Sequence, residues 1–244
     1  MSQDRNKDYE EEAAHHNSAL GTKEYWDNHY DMELSNFEDT GDEGEIWFGK
    51  SAENRMLRFV CEKVTKNSAI LDVGTGNGSV LRKLRQKGYM ELTGIDYSEG
   101  AVELAKKTAE AEQKEHPTKL PTINFHVADL LDIQTSPKLC HRYDIILDKG
   151  TWDAISLAGD RSARLQNYRR SIIDLFRKNE GDYDGGPQLQ RYFVIFSCNF
   201  TKDELVDLFE CEDLVFDSEI LSTNTICFGG KEGTTSTGVV FRKE

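Results

Sequence analysis

The sequence predicts an α/β fold in which helices cover a doubly wound, mostly parallel sheet of seven strands, with a C-terminal antiparallel strand. Short apolar runs alternate with segments of helical periodicity, which is typical of a parallel sheet. A glycine-rich turn joins the first of these runs to the helix after it. The length of 244 residues fits one domain of this class.

The N-terminal part divides into a tail and two helices. Residues 1–20 are acidic and lack apolar periodicity, so we expect a disordered tail, with one domain over residues 21–244. Aromatic and aliphatic residues at helical spacing predict a helix from Thr22, as its N-cap, to Phe37, ended by the glycines that begin at Gly41. A second helix is predicted over Ser51–Lys66.

The remaining elements alternate along the chain. The predicted parallel strands are Ala69–Val73, Glu91–Ile95, Ile123–Val127, Tyr143–Leu147 and Tyr192–Ser197. The predicted helices are Ser79–Gln86, Ser98–Lys114, Arg161–Lys178 and Thr201–Phe209, the last with a capping box of Thr201 and Glu204. Leu214–Ile220 and Gly238–Arg242 have no helical pattern between them, which predicts an antiparallel pair.

Composition excludes several classes of protein. A net charge of −14 disfavours nucleic-acid partners, and no apolar run approaches the roughly 18 residues of a membrane span. The five cysteines are widely spaced and odd in number, which indicates reduced thiols in a cytoplasmic protein. Histidines lack metal-ligand spacing, so no metal is predicted, and nothing requires more than a monomer.

Acidic residues are concentrated before the predicted sheet. Residues 24–49 hold nine carboxylates and no lysine or arginine. This stretch is either a solvated acidic face or a surface that attracts a basic partner.

The glycine-rich turn carries the strongest functional signal. The residues concerned are Asp72, Gly74, Thr75, Gly76 and Gly78. Glycines let the backbone approach a ligand, and the following helix directs its N-terminal amides at the same place. A nicotinamide-binding motif would place its third glycine at position 79, where this chain has Ser79. The carboxylate of Asp72 would stabilise a cationic group better than a pyrophosphate.

Two further acids end the next two strands. Asp96, followed by Tyr97 and Ser98, is placed to accept hydrogen bonds from both hydroxyls of a ribose. The alternative is that Asp96 only forms a helix-capping turn. Asp129, followed by Leu130, is placed to accept from an adenine amino group while apolar neighbours enclose the ring; the alternative is an ordinary loop acid. The three acids would meet at the crevice of an open α/β sheet.

These motifs resemble the Rossmann-like, seven-stranded class I AdoMet-dependent methyltransferases. More narrowly, the chain is similar to the lysine methyltransferases of translation elongation factor 1-alpha over about residues 19–243. The similar segments are Leu20–Thr22 with Tyr25–Asp27, Gly44–Gly49, Asp148–Leu157 and Ser197–Lys202. The resemblance implies AdoMet (S-adenosyl-L-methionine) as cofactor and a lysine of the elongation factor, a protein substrate, as methyl acceptor.

Methyl transfer to lysine requires a neutral amine, whereas the unperturbed lysine pKa is about 10.4. Asp148, at the end of the fourth strand, is the candidate to orient the amine or take its proton through water; alternatively it only supports its loop. An apolar channel is predicted with walls of Trp47, Phe48 and Trp152, although aromatic residues often belong to a core. Asp153 and Asn199 are predicted at its rim, and Lys149 is expected to flank the site in solvent.

Other functions remain open from the residues alone. The same fold could methylate another protein or a small amine, or bind AdoMet without catalysis. A nicotinamide oxidoreductase is disfavoured by Ser79 and Asp72.

Overall fold

A computed structural model describes residues 18–116, 118–178, 190–222, 226–228, 231–233 and 235–244. A 3-10 turn at Ala19–Gly21 precedes the first helix, and the indole N–H of Trp26 donates to the carbonyl of Leu20 at 2.7 Å. The expected disordered tail falls largely on residues 1–17, outside the described residues, and stays a prediction there.

Seven helices and nine strands make up the described chain. The helices are α1 (Lys23–Thr40), α2 (Gly49–Lys63), α3 (Ser79–Gln86), α4 (Glu99–Glu115), α5 (Thr151–Ser156), α6 (Arg161–Leu175) and α7 (Lys202–Phe209). The strands are β1 (Ala69–Val73), β2 (Glu91–Asp96), β3 (Ile123–Val127), β4 (Ile145–Lys149), β5 (Tyr192–Ser197), β6 (Leu214–Glu219), β7 (Ile226–Phe228), β8 (Lys231–Gly233) and β9 (Thr237–Lys243). A further 3-10 segment spans Leu130–Thr135.

The main sheet has the order β3-β2-β1-β4-β5-β9-β6. Strands β1 to β5 are parallel, whereas β9 runs antiparallel to both β5 and β6. The fold class predicted from the sequence is therefore confirmed. Because successive connections lead outwards in opposite directions from β1 and β4, a crevice lies at the carboxyl ends of these two strands, where such folds bind ligands.

Alternating side chains divide the core between the two faces of the sheet. Ile70, Ile145 and Leu147 pack with α2, α3 and α4 on one face, which we call the first face. Leu71 and Ile146 pack with α5, α6 and α7 on the second face. Helix α1 packs outside this arrangement, against α4.

Local signals in the sequence account for most element ends. The Thr22 hydroxyl accepts from the amide of Tyr25 to cap α1, and left-handed Gly41 ends that helix. The capping box of Thr201 and Glu204 is confirmed at α7.

Several segments differ from the prediction: helix α1 ends three residues later than expected, and α2 and α6 end three residues earlier. The fourth strand lies two residues later than expected, so Asp148 and Lys149 belong to β4 itself. Helix α5 and the short β7-β8 hairpin were not predicted. No helix within the described residues is long and apolar enough to cross a membrane.

Trp152 occupies the centre of the second face. Its side chain is 0% exposed and packs against Tyr168, Phe200 and Phe209, with ring centroids 5.2 to 6.3 Å away. The expectation that Trp152 lines an open channel is therefore wrong, because the ring belongs to the core.

We expect Trp152→Ala to lower the free energy of unfolding by about 3–5 kcal/mol, because the truncation leaves a large internal cavity. Urea denaturation followed by circular dichroism measures this. Phe200→Ala is the matched control, since Phe200 packs on the same cluster but is only partly buried. Its loss of unfolding free energy should be clearly smaller. Equal, small losses in both variants would contradict the placement of Trp152 in the core.

Candidate functional site

The glycine loop forms the floor of the crevice between β1 and α3. Gly74, Gly76 and Gly78 all have positive φ angles, of 64°, 52° and 72°. A Cβ atom at Gly76 would lie 2.5 Å from the hydroxyl oxygen of Tyr30, and one at Gly74 would collide with the Thr151 side chain. The loop therefore requires glycine for both its conformation and its close approach to neighbouring groups.

Asp72 lies beneath this loop and is 3% exposed. The Thr75 hydroxyl donates to its carboxylate at 2.9 Å, and it is the one hydrogen-bond donor to Asp72 among the residues that the structure describes. Burial raises the pKa of Asp72 to about 7, although the positive charge of Lys149 opposes the shift. Such a carboxylate has an incomplete set of partners and favours a cation.

Asp96 links the glycine loop to β2. Its carboxylate accepts the amide N–H of Gly76 at 3.1 Å and that of Ser98 at 3.0 Å. Burial raises the pKa of Asp96 to about 6, and these two amides oppose the shift. A carboxylate offers about four acceptor positions, so two hydroxyl groups can still bind here.

The neighbours of Asp96 are fixed by the same turn. The Ser98 hydroxyl accepts from the amide of Ala101 and caps α4, while Tyr97 is half-buried beneath the ammonium of Lys23, 5.3 Å from the ring centroid. Asp129 is exposed and accepts from the amide of Leu131 at 2.8 Å. Leu130 is buried in the core of the second face.

The residues at the crevice fit AdoMet. Asp72 is buried and has no lysine or arginine nitrogen within 4 Å among the described residues, so its carboxylate suits the ammonium of the methionyl end, and the carboxylate of Asp96 suits the ribose hydroxyls. The structure brings Asp72, Asp96 and the glycine loop together, as the sequence predicts, and leaves Asp129 at the open side.

Asp148 points to the second face, away from Asp72. Its carboxylate is 0% exposed and accepts the amides of Thr151 at 2.8 Å and Trp152 at 3.0 Å, together with the Tyr168 hydroxyl. Burial raises the pKa of Asp148 to about 7. Because every donor to this carboxylate belongs to the protein interior, the geometry favours the supporting role over direct contact with a substrate amine.

Asp153 also supports the fold and does not lie at an open rim. It is 4% exposed and accepts from the Ser197 hydroxyl and from the amides of Cys198 at 2.8 Å and Asn199 at 3.3 Å. The carboxylate therefore ties α5 to the loop after β5. Asn199 is exposed in that loop, so of the two predicted rim residues it alone faces solvent.

A segment formed by residues 43–48, which we call the strap, is tied to the crevice at several points. The Glu43 carboxylate pairs with Arg82 at 2.6 Å, and the Glu43 carbonyl accepts from the Asn77 side chain at 2.9 Å. The Glu45 amide donates to the buried carboxylate of Glu33 on α1 at 2.9 Å. The strap therefore joins α1 to the glycine loop.

The end of the strap lies over the start of α5. The Trp47 carbonyl accepts from the ammonium of Lys149 at 3.1 Å. The Phe48 ring covers Gly150, where a Cβ atom would lie 2.8 Å from the ring, and Phe48 itself has a φ of 64°. Lys149 is thus half-buried in the site and does not merely flank it in solvent, which corrects the expectation from the sequence.

Helix α1 supplies aromatic residues that sequence reasoning did not assign to the site. Trp26 contacts Trp47 with ring centroids 4.8 Å apart, and Tyr30 places its hydroxyl at Gly76. Helical periodicity identified both as members of one face of α1, but it carried no information on what that face covers. Within the described chain, no group of three or more potential metal-ligating side chains is found.

Solved structures with the same fold include methyltransferases. A magnesium protoporphyrin IX methyltransferase from Synechocystis, solved with bound SAH, superposes with a TM-score of 0.56 at 12% identity and covers 88% of this chain and 100% of its own. A TehB-like SAM-dependent methyltransferase from Corynebacterium glutamicum gives a TM-score of 0.56 at 16% identity, over 89% and 98% of the two chains. At these identities, the likeness establishes the fold alone.

Sequence comparison is more specific. Residues 64–181 match a family described as a methyltransferase domain. EEF1A lysine methyltransferase 2 of Danio rerio is 40% identical over 93% of this chain and 88% of its own length. Protein-lysine N-methyltransferase EFM4 of Saccharomyces cerevisiae is 38% identical over 93% and 96%. This chain therefore belongs to the family of protein-lysine methyltransferases that includes these two enzymes.

Proposed function

We propose that this chain transfers a methyl group from AdoMet to a lysine side chain of elongation factor 1-alpha. The observation that carries the proposal is the identity of 38–40%, over nine-tenths of the chain, to enzymes named for protein-lysine or EEF1A methylation. The crevice supports it, because its buried carboxylates suit a cationic nucleoside cofactor.

Three carboxylates would hold the cofactor along the crevice. Asp72 binds the ammonium of the methionyl end, Asp96 accepts the two ribose hydroxyls, and Asp129 accepts from the adenine amino group beside Leu130. The positive φ angles of the glycine loop support this arrangement, because they let its backbone lie close to the ligand. Thr75, Tyr97 and Ser98 complete the set by holding or flanking these acids.

When bound, AdoMet would supply an electrophilic methyl group on a sulfonium: the neutral substrate amine would attack the methyl carbon in line with the C–S bond, which breaks and leaves S-adenosylhomocysteine. The protein must align the substrate amine and exclude water from it. Trp47 and Phe48, with Trp26 behind them, form an aromatic wall for the lysine side chain. Aromatic faces attract the ammonium before it loses its proton, and a site shielded from water favours the neutral amine.

Asp148 contributes by holding the wall in place and not by taking the proton itself. Its carboxylate fixes the first turn of α5 through Thr151 and Trp152. Gly150, directly before that turn, lies under the Phe48 ring. Asp153 and the exposed Asn199 continue this support towards the loop after β5, where the protein substrate would approach.

Incubation of the purified chain with radiolabelled AdoMet and recombinant elongation factor 1-alpha tests the function. We expect label in the elongation factor and not in a panel of unrelated proteins. Mass spectrometry of the labelled protein then identifies the modified side chain as lysine. Label in another protein or in a small amine would support methyltransferase activity but with a substrate other than the elongation factor. AdoMet binding without label in any acceptor would support a non-catalytic binding role.

Asp96→Ala should weaken AdoMet binding by about 10- to 100-fold, because the hydrogen bonds between a charged carboxylate and two hydroxyls are lost. Isothermal titration calorimetry measures the dissociation constant. Glu91→Ala is the matched control, since Glu91 is an exposed acid at the opposite end of the same strand, β2, and should leave affinity unchanged. Unchanged affinity in Asp96→Ala would remove Asp96 from the ribose site.

Affinity for S-adenosylhomocysteine, which keeps its ammonium below pH 8, should fall by about tenfold or more from pH 8 to pH 6. The reason is that Asp72 and Asp96, with pKa values of about 7 and 6, take up protons over this range, while the ligand cation binds the ionised carboxylate. Calorimetry at several pH values measures the change. An affinity that stays level across the range would contradict the ionised role of Asp72.

A further inference from the structure

Lys149 and Asp72 face the same side of the sheet at its ligand-binding edge. In the parallel pairing of β1 with β4, Asp72 lies opposite Leu147. Because side chains alternate along a strand, Leu147 and Lys149 point to the first face, as Asp72 does, whereas Asp148 points to the second. Lys149 follows Leu147 by two residues on β4. It therefore lies beside Asp72 on that face, one step closer to the crevice.

The Lys149 ammonium retains donors for a ligand. It has three N–H groups, and the one hydrogen bond it makes within the described residues goes to the Trp47 carbonyl at 3.1 Å. No carboxylate oxygen of the described chain lies within 4 Å of its nitrogen, and the side chain is half-buried. A half-buried ammonium with unused donors favours an anion.

The charges around Lys149 come from four residues. Asp72 on β1, Glu53 on α2 and Asp148 on β4 favour its protonated form, whereas Lys83 on α3 and burial oppose it; burial is the largest effect and lowers the pKa of Lys149. Glu53 is fully buried and pairs directly with Lys83. Among the described residues, the carboxylate of Asp72 and the ammonium of Lys149 each have one neutral hydrogen-bond partner and no ion pair within 4 Å, so two opposite charges are left facing the crevice.

We propose that Lys149 binds the carboxylate of the methionyl end of AdoMet while Asp72 binds the ammonium on the same carbon atom. An α-amino acid end is a zwitterion, and two neighbouring side chains of opposite charge on one face match it. This inference rests on the proposed function only in taking AdoMet as the cofactor.

The same lysine would connect the cofactor to the aromatic wall. Its ammonium donates to the Trp47 carbonyl, and a second donor would reach the ligand carboxylate. Cofactor binding would then fix the end of the strap, because the Trp47 carbonyl and the ligand carboxylate would both accept from the Lys149 ammonium. The wall for the substrate lysine would be held most firmly once the cofactor is bound.

The test compares two ligands that differ only in the carboxylate: AdoMet and decarboxylated AdoMet. Calorimetry is carried out on the full-length wild-type chain, on Lys149→Met and on Lys149→Arg. Lys87→Met is the matched control, since Lys87 is exposed at the far end of α3 and should not change either affinity.

We expect Lys149→Met to weaken AdoMet binding by about 10- to 100-fold, the range for a hydrogen-bonded charge pair. Binding of decarboxylated AdoMet should stay within about threefold or become tighter, because the lysine no longer repels a purely cationic ligand. Lys149→Arg should recover part of the affinity for AdoMet. Thermal unfolding of each variant verifies that it is folded.

Equal weakening of both ligands in Lys149→Met, or no weakening of either, would overturn the assignment of Lys149. If Lys149→Met does not fold, Lys149→Arg takes its place, and a ratio of AdoMet affinity to decarboxylated AdoMet affinity that is unchanged from wild-type protein would then overturn the assignment. Failure of wild-type protein to bind AdoMet would instead refute the cofactor in the proposed function, so the two failures are distinguishable.

Discussion

The burial of two carboxylates under one glycine loop is the constraint on which the site depends. Asp72 and Asp96 end adjacent parallel strands, and the fold shields both from water. Burial makes each charge costly, and the amides and hydroxyl that reach them offset only part of that cost. In the proposed function, a cationic ligand with hydroxyl groups offsets this cost, so the buried charges of the ligand-free protein would favour the binding of AdoMet.

The second face of the sheet has acids of a different kind. Asp148 and Asp153 are also buried, but each accepts at least three hydrogen bonds from neighbouring protein groups. They hold α5 between β4 and the loop after β5. Alternation along β4 separates the two kinds of acid, because it turns Asp148 towards the packed helices and Lys149 towards the crevice. We propose that the site is built in this way, with ligand-binding groups on the first face of the sheet and supporting groups on the second.

The strap links these two functions. It is tied to α1 through Glu33, to the glycine loop through Asn77 and to β4 through Lys149. Its aromatic residues are therefore held by the same elements that surround the proposed cofactor site. Methyl transfer needs close alignment of amine and sulfonium, and a common support for both partners provides it.

Local patterns in the sequence were sufficient for the fold class, for the glycine loop and for Asp96 at the end of β2. Turn chemistry, capping and the alternation of strands with helices act over a few residues, so they can be read without knowing the packing. Family resemblance added the cofactor and the substrate class, which the relatives bear out. Tertiary structure alone decided that Trp152 is core, that Asp148 caps α5 and that Tyr30 reaches Gly76. It also decided that Lys149 shares a face with Asp72, because the register between β1 and β4 joins residues more than 70 positions apart in the chain.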